Sequence, residues 1–473
     1  MVISFQRKAK ASKGRYTPNL WPVWLVAPLA LVAAGCLGYV IYRYAYHYFA
    51  QAAEGQSPAK PVNINDVLKA TVTALTLIGA VLAGLYAYRK QLLSEGDAHR
   101  SDASQLADRY TTAAEQLGHD QAAVRLAGVY ALARLADDWE EQRQVCIDVL
   151  CAYLRMPYEP DPAASDHKAG ERQVRLTIIS VIRDHLQDPN AATAWCRHRL
   201  DFTGATFDGG TFGGSNFGGP VSFEGAVFGD GRVSFEGAVF DGGRVSFEGA
   251  VFDGGRVSFE GAAFDGGRVS FEGAAFDGGR VSFDGAAFRQ GRVSFDGAAF
   301  REGRVSFAEA VFSGGRVSFE GAAFDGGRVA FFGAAFDGGT VSFAGAGFSD
   351  GSVTFRRGTF TDGMVSFVAA TFSGGRVTFD HAAFSGGEVS LDDATFAGGT
   401  VLFDGAVFSG GRVSFGAATI NSGGRIVFRR GTFSSGTISF RDMTISGGAV
   451  DFEDWTTSGT AFSWGSVPVP SGA

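Results

Sequence analysis

Val221-Ser-Phe-Glu-Gly-Ala-Val-Phe-Gly-Asp-Gly-Arg232 is followed by Val233-Ser-Phe-Glu-Gly-Ala-Val-Phe-Asp-Gly-Gly-Arg244. The same twelve residues then return, with few changes, through more than half of the chain. Phenylalanine falls at Phe223 and Phe228, Phe235 and Phe240, Phe247 and Phe252, Phe259 and Phe264, spaced alternately by five and seven. A short fixed period means a stack of identical coils, each burying its apolar face on its neighbours. Side chains alternate along extended chain, so each Phe points the same way as the residue two before it. These eight Phe are therefore expected inside, with Val233 and Ala238 beside Phe235 and Phe240, stacked into aromatic columns. Ser234, Ser246 and Ser258 point outward, and the Gly-Gly pairs supply corners at positive φ.

Three rows of charge follow from the same period. Arg232, Arg244, Arg256, Arg268 and Arg280 begin one outward row, continued to Arg328. Glu236, Glu248 and Glu260 lie in a second, and Asp241 and Asp253 in a third. Stacked like charges repel, so rows of opposite sign are expected to interleave. Mixed surface charge of this kind keeps a rod soluble; read functionally, it is a periodic surface for a partner.

The opening of the repeats, Asp201-Phe-Thr-Gly-Ala-Thr-Phe-Asp-Gly209, spaces Phe202, Phe207, Phe212 and Phe217 by five. With units such as Ala205-Thr-Phe-Asp-Gly209 and Ala226-Val-Phe-Gly-Asp230, it resembles the pentapeptide-repeat family. Ala122 to Leu135 and Val145 to Arg155 look like the helical region that precedes such repeats in membrane-anchored bacterial members. The resemblance spans roughly residues 100 to 455. It implies a mainly β fold, a right-handed quadrilateral β-helix. The chain departs from the family by inserting two residues, as Gly243-Arg244, after each second unit. Five plus seven residues then give about 24 per four-sided coil; a two-sided coil of about 12 is the alternative, and the inward Phe would crowd it at a strand spacing near 4.8 Å.

Composition divides the chain. All lysines lie at or before Lys168, and from Asp201 onward there are 30 Asp and Glu against 19 Arg. An acidic repeat region does not attract nucleic acid, so direct nucleic-acid binding is not expected. The four cysteines, Cys36, Cys146, Cys151 and Cys196, form no CxxC pair, and the repeats hold none, which fits a reducing compartment. His185, Cys196 and His198 form the one cluster with metal-ligand chemistry, without the spacing of a zinc site. Asp-Gly-Gly lacks the nine-residue period of calcium solenoids. No cofactor, metal or catalytic residue is expected.

Two apolar stretches precede the repeats. Trp21 to Tyr42 and Val67 to Tyr88 each reach the roughly 20 residues a bilayer requires, with a short hairpin carrying Pro58 and Pro61 between them. Arg7, Lys8, Lys10, Lys13 and Arg15 lie before the first, and Arg89, Lys90 and Arg100 after the second. Basic flanks stay inside, which favours a cell-membrane protein with both termini cytoplasmic. A cleaved signal, or a lipoprotein site at Cys36, is the rival reading.

The expected organisation is a basic terminus over 1–19, a transmembrane hairpin over 20–90, and a helical connector and solenoid cap over 91–200. The β-solenoid covers 201–455, and a plug and tail 456–473. In the connector, Gly118 ends one helix and Asp120 caps the next; further helices are expected over Glu140 to Leu154 and Val174 to Leu186. The functional expectation is a membrane-tethered, non-enzymatic scaffold that meets a protein partner at the inner face of the membrane. Some pentapeptide proteins imitate DNA toward type II topoisomerases, which makes an acidic DNA mimic the alternative. An envelope or adhesin rod would follow from reversed topology.

Overall fold

A computed structural model describes residues 23–54, 61, 63–165 and 167–470. The chain divides into two units, Met1–Ser104 and Gln105–Ala473. In the first, helix α1 covers Val23–Glu54, and helix α2, Ile64–Leu117, begins. Among the described residues one helix stretch, Ile64–Tyr88, is long and apolar enough to cross a membrane. Its hydroxyls are turned inward: Thr71, Thr73 and Thr76 each donate to the carbonyl four residues back at 2.8 Å. That is how a hydroxyl is satisfied where water is absent. The basic N-terminus, Trp21, Pro58 and Lys60 lie outside the described residues.

In the second unit the end of α2 meets α3 (Ala122–Asp138), α4 (Arg143–Arg155) and α5 (Glu171–His185). Gly128 marks a close helix contact: a Cβ there would lie 2.5 Å from the Leu117 amide nitrogen. Asp120 does not cap α3. Gln121 holds that position without a side-chain bond, and the Asp120 carbonyl instead accepts from Arg125 at 2.6 Å. A 3₁₀ turn, Glu140–Gln142, precedes α4. Val129, Leu132, Ile147, Leu150, Ile178 and Ile182 are fully buried between the helices.

From Leu200 the chain winds into a β-solenoid of about eleven turns. Strand pairing is parallel, and partners are 24 residues apart through the regular part: Arg256 pairs with Arg280, Val257 with Val281, Phe264 with Phe288. One coil therefore holds two twelve-residue units and four short strands, as in Arg232–Ser234, Val239–Asp241, Arg244–Ser246 and Val251–Asp253. We number the faces built on these strands one to four. Val-Phe and Ala-Phe pairs point inward, and Phe235, Phe247 and Phe259 are fully buried. Each Phe stacks on the one a coil away, Phe235 on Phe259 at 4.8 Å and Phe259 on Phe283 at 4.8 Å. Columns from opposite faces meet edge to face, as Phe259 and Phe271 do at 5.8 Å and 89°. Stacked and edge-on rings both suit the aromatic quadrupole.

Of the two inserted residues, Gly and Arg, the Gly is fixed by a close approach of backbone. The second Gly faces the coil below: a Cβ on Gly267 would lie 2.8 Å from the Gly243 carbonyl oxygen, and one on Gly279 3.0 Å from that of Gly255. No side chain fits there, whereas the position before it admits Gln290 and Glu302. The extra residue after Ile420 moves the pairing interval to 25, as in Phe403 with Phe428.

At the N-terminal end the helices lie on the first coil. Ile179 of α5 meets Gly210, and the Leu186 and Cys196 carbonyls accept from Asn216 and Gly218 at 2.8 and 3.0 Å. Trp195 is fully buried and stacks on His185 at 4.1 Å. At the other end sheet pairing runs past residue 455, through Ala461–Ser463. The expected plug residues are thus part of the last coil: Trp464 stacks on Phe462 at 4.6 Å and Trp455 lies 5.2 Å from Phe452.

Candidate interaction faces

The 24-residue coil corrects the expected charge rows. Alternate arginines fall on different faces: Arg232, Arg256 and Arg280, with Arg304 and Arg328, share face one, while Arg244 and Arg268, with Arg292 and Arg316, share face three. Glu236 and Glu260 belong to face one and Glu248 to the turn after face three. Asp241 and Asp253 close strands of faces two and four. The expected interaction residues thus form two similar surfaces and two separate Asp columns.

Face one carries a groove of about 550 Å³. Arg232, Arg256, Arg280, Arg304 and Arg328 line one rim; Glu236, Glu260 and Asp284 line the other. The serines between them serve the fold first. Ser234 Oγ accepts from the Glu236 amide at 3.2 Å and Ser258 Oγ from that of Glu260 at 3.3 Å, closing the turn at each corner. The acidic rim stops where Ala308 and the exposed Phe332 replace acid.

The rows do not interleave into ion pairs. Arg and acid stand four residues apart in each unit, the Arg at the start of the strand and the acid in the turn that closes it. Among the described residues none of these nine arginines, Arg232 to Arg328, makes an ion pair, whereas Arg425 and Arg429, further along face one, pair with Asp451 and Glu453. The pairs that do form join successive coils where the repeat changes sign. Arg289 stands in the Asp column and meets Asp265 at 2.8 Å; Arg301 meets Asp277 at 3.1 Å. Those substitutions were visible in the sequence, but their partners depend on coil length. Arg429–Glu453 and Arg430–Asp404 do the same near the C-terminal end.

The helical region holds groups that sequence reading missed. Arg125 and Glu171, both buried, lie 3.4 Å apart, and Tyr153 Oη donates to Glu171 at 2.9 Å. Burial, then the Glu171 carboxylate, pushes the Tyr153 phenol far above its usual value. The signal was an Arg amid the apolar run Ala122 to Leu135. His185 faces Asp137 at 3.2 Å and the Val181 carbonyl, while His198 meets Gln144. These ring nitrogens are engaged within the helices. Among the described residues no group of His, Cys, Asp and Glu is placed to hold a metal ion. Burial pushes the Cys146 thiol up to about 11 and Cys151 up to about 12, which keeps both protonated.

A family model described as pentapeptide repeats matches the chain, with nine copies and residues 202–251 matched. No curated protein and no solved structure matches it. The chain carries pentapeptide repeats, here folded as a β-solenoid behind an N-terminal helical region.

Proposed function

We propose that this chain is a membrane-tethered, non-enzymatic scaffold whose solenoid presents charged faces to a protein partner at the inner face of the membrane. The observation that carries the reading is the pair of faces bearing regular, unpaired Arg rows beside acidic rows. Unpaired charge at fixed spacing favours recognition of a surface over chemistry on a small substrate, which calls for a converging set of titratable groups. The tether rests on Ile64–Tyr88. We take α1 as a second crossing, the termini as cytoplasmic, and the coil as right-handed.

Paired reporter fusions after Ala473, one active inside the cell and one outside, test the arrangement. Activity inside is expected; activity outside would turn the reading to an envelope or adhesin rod. The acidic balance of residues 201–473 favours a second reading, a DNA mimic that restrains a type II topoisomerase. The full chain would then inhibit supercoiling. The Arg rows sharing faces with the acids weigh against it.

A further inference from the structure

We infer that face three is a contact surface for a second copy of this chain, with the two solenoids parallel. On this face Arg244, Arg268, Arg292 and Arg316 form one row. Glu248, Glu272, Asp296 and Glu320, four residues after each, form the other. The match is one acid for each arginine, unlike face one, where Arg304 and Arg328 face Ala308 and Phe332. Among the described residues no arginine of this row meets an acid of its own copy, while Asp296 accepts from the Ser318 hydroxyl and the Glu320 amide, and Glu320 from the Ser342 hydroxyl.

Symmetry decides the orientation. A half-turn about an axis parallel to the coil stack, lying in the contact plane, carries one copy's Arg row onto the other's acidic row, and the reverse. Arg268 of each copy then opposes Glu272 of the other, and Ser270 opposes Ser270. A half-turn about an axis across the stack, which makes the copies antiparallel, lays Arg on Arg and acid on acid. The pattern is self-complementary in the parallel sense alone, and the contact closes as a dimer. Two chains held in one membrane would share that direction, but the inference does not depend on the tether.

The extent of the contact is bounded. Above Arg316 the two rows become Thr340 with Ala344 and Met364 with Val368, which are neutral. Then Glu388 and Asp392 place acid on both rows, which ends the complementarity. Six coils at about 4.8 Å and a face about 13 Å wide cover only a few hundred Å² on each copy, less than a stable soluble dimer buries. Exposed pairs contribute roughly 0–1 kcal/mol each and are screened by salt. The association is therefore weak, ionic-strength dependent, and strengthened by confinement.

The test uses the full chain with Cys36→Ser, since Cys36 is the one exposed cysteine. Ser270→Cys in that background, mildly oxidised at low salt, is expected to give a covalent dimer. High salt and Arg268→Glu should each reduce its yield several-fold. Arg268→Glu with Glu272→Arg should restore it, because the exchanged pair is again self-complementary; a different partner protein would not be restored. No dimer from Ser270→Cys, or a yield indifferent to Arg268→Glu, overturns the inference. So does a mixture of Ser270→Cys and Ser294→Cys chains that cross-links to each other in preference to itself. Sedimentation of the unmodified chain over a range of concentrations guards against a folding defect: at low salt the average mass is expected to rise with concentration toward that of a dimer, and a monomer mass at every concentration and salt also overturns it.

Discussion

A single turn position carries much of the backbone constraint. In Phe-Glu-Gly-Ala the third residue takes positive φ, as Gly261 does at 64°, and the Ala262 amide closes the turn on the Phe259 carbonyl. Among the described residues all nine non-glycine residues at positive φ, from Glu309 to Asp454, occupy this same place in later repeats. Ala369 is among them, at φ 56° and exposed. An alanine there costs roughly 1–2 kcal/mol, while glycine loses roughly 0.5–1 kcal/mol of chain entropy. Ala369→Gly is therefore expected to stabilise the chain by about 0.5–1 kcal/mol, read as a higher urea midpoint; a lower one would show that the position is not strained. The neighbouring turns place Asp380 and Asp404 in successive coils. Burial, then the Asp404 charge, raises the Asp380 carboxyl above its usual range, and its Oδ1 is buried without a partner. A carboxyl raised on folding favours the native state in acid and opposes it once pH passes the raised value. Asp380→Asn should thus give a small gain in thermal stability at neutral pH that disappears in acid. Asp404, lowered by its bond to Arg430, acts in the opposite sense. A gain that persists in acid would point to some cause other than charge.

At the scale of the strands, aromatic columns hold coil to coil. Phe259 is stacked above and below at 4.8 Å and edge-on to Phe247 and Phe271. Phe259→Asp would bury a carboxylate without a partner, at a cost of several kcal/mol. Loss of hydrogen-exchange protection is expected over the coils on either side, with the helical region unaffected; unchanged protection would mean that the ring is not in the core. This much was legible in the sequence, because the five–seven spacing and two-residue alternation are local and uninterrupted. The coil of about 24 residues was legible too, since packing favours it over one of 12, but the charge rows were read along the twelve-residue unit and not along that coil. Whether Arg232 stacks on Arg244 or on Arg256 depends on the residues needed to close a coil, which no single unit states. The ion pairs of Arg289 and Arg301 were hidden for the same reason. The α3 cap was misread because Asp120 and Gln121 are adjacent and either could occupy that position.

Across the whole solenoid each coil touches only its neighbours, so stability is close to a sum of coil and interface contributions. Deleting residues 269–292, one full coil, rejoins Arg268 to Val293 in register. The shortened chain is expected to fold, with a urea m-value lower by roughly a tenth or less. Aggregation, or loss of the β signal, would show that the coils are not interchangeable. Residues 257–268 and 269–280 are identical letter for letter. Two such tracts side by side invite slippage when the gene is copied, in steps of twelve. A step of one unit keeps every ring on a ring but turns all later coils through half a revolution, exchanging opposite faces. A step of two changes only length. Descendants under selection for what a face touches should therefore differ by even numbers of units, and descendants selected for reach alone should show no such parity.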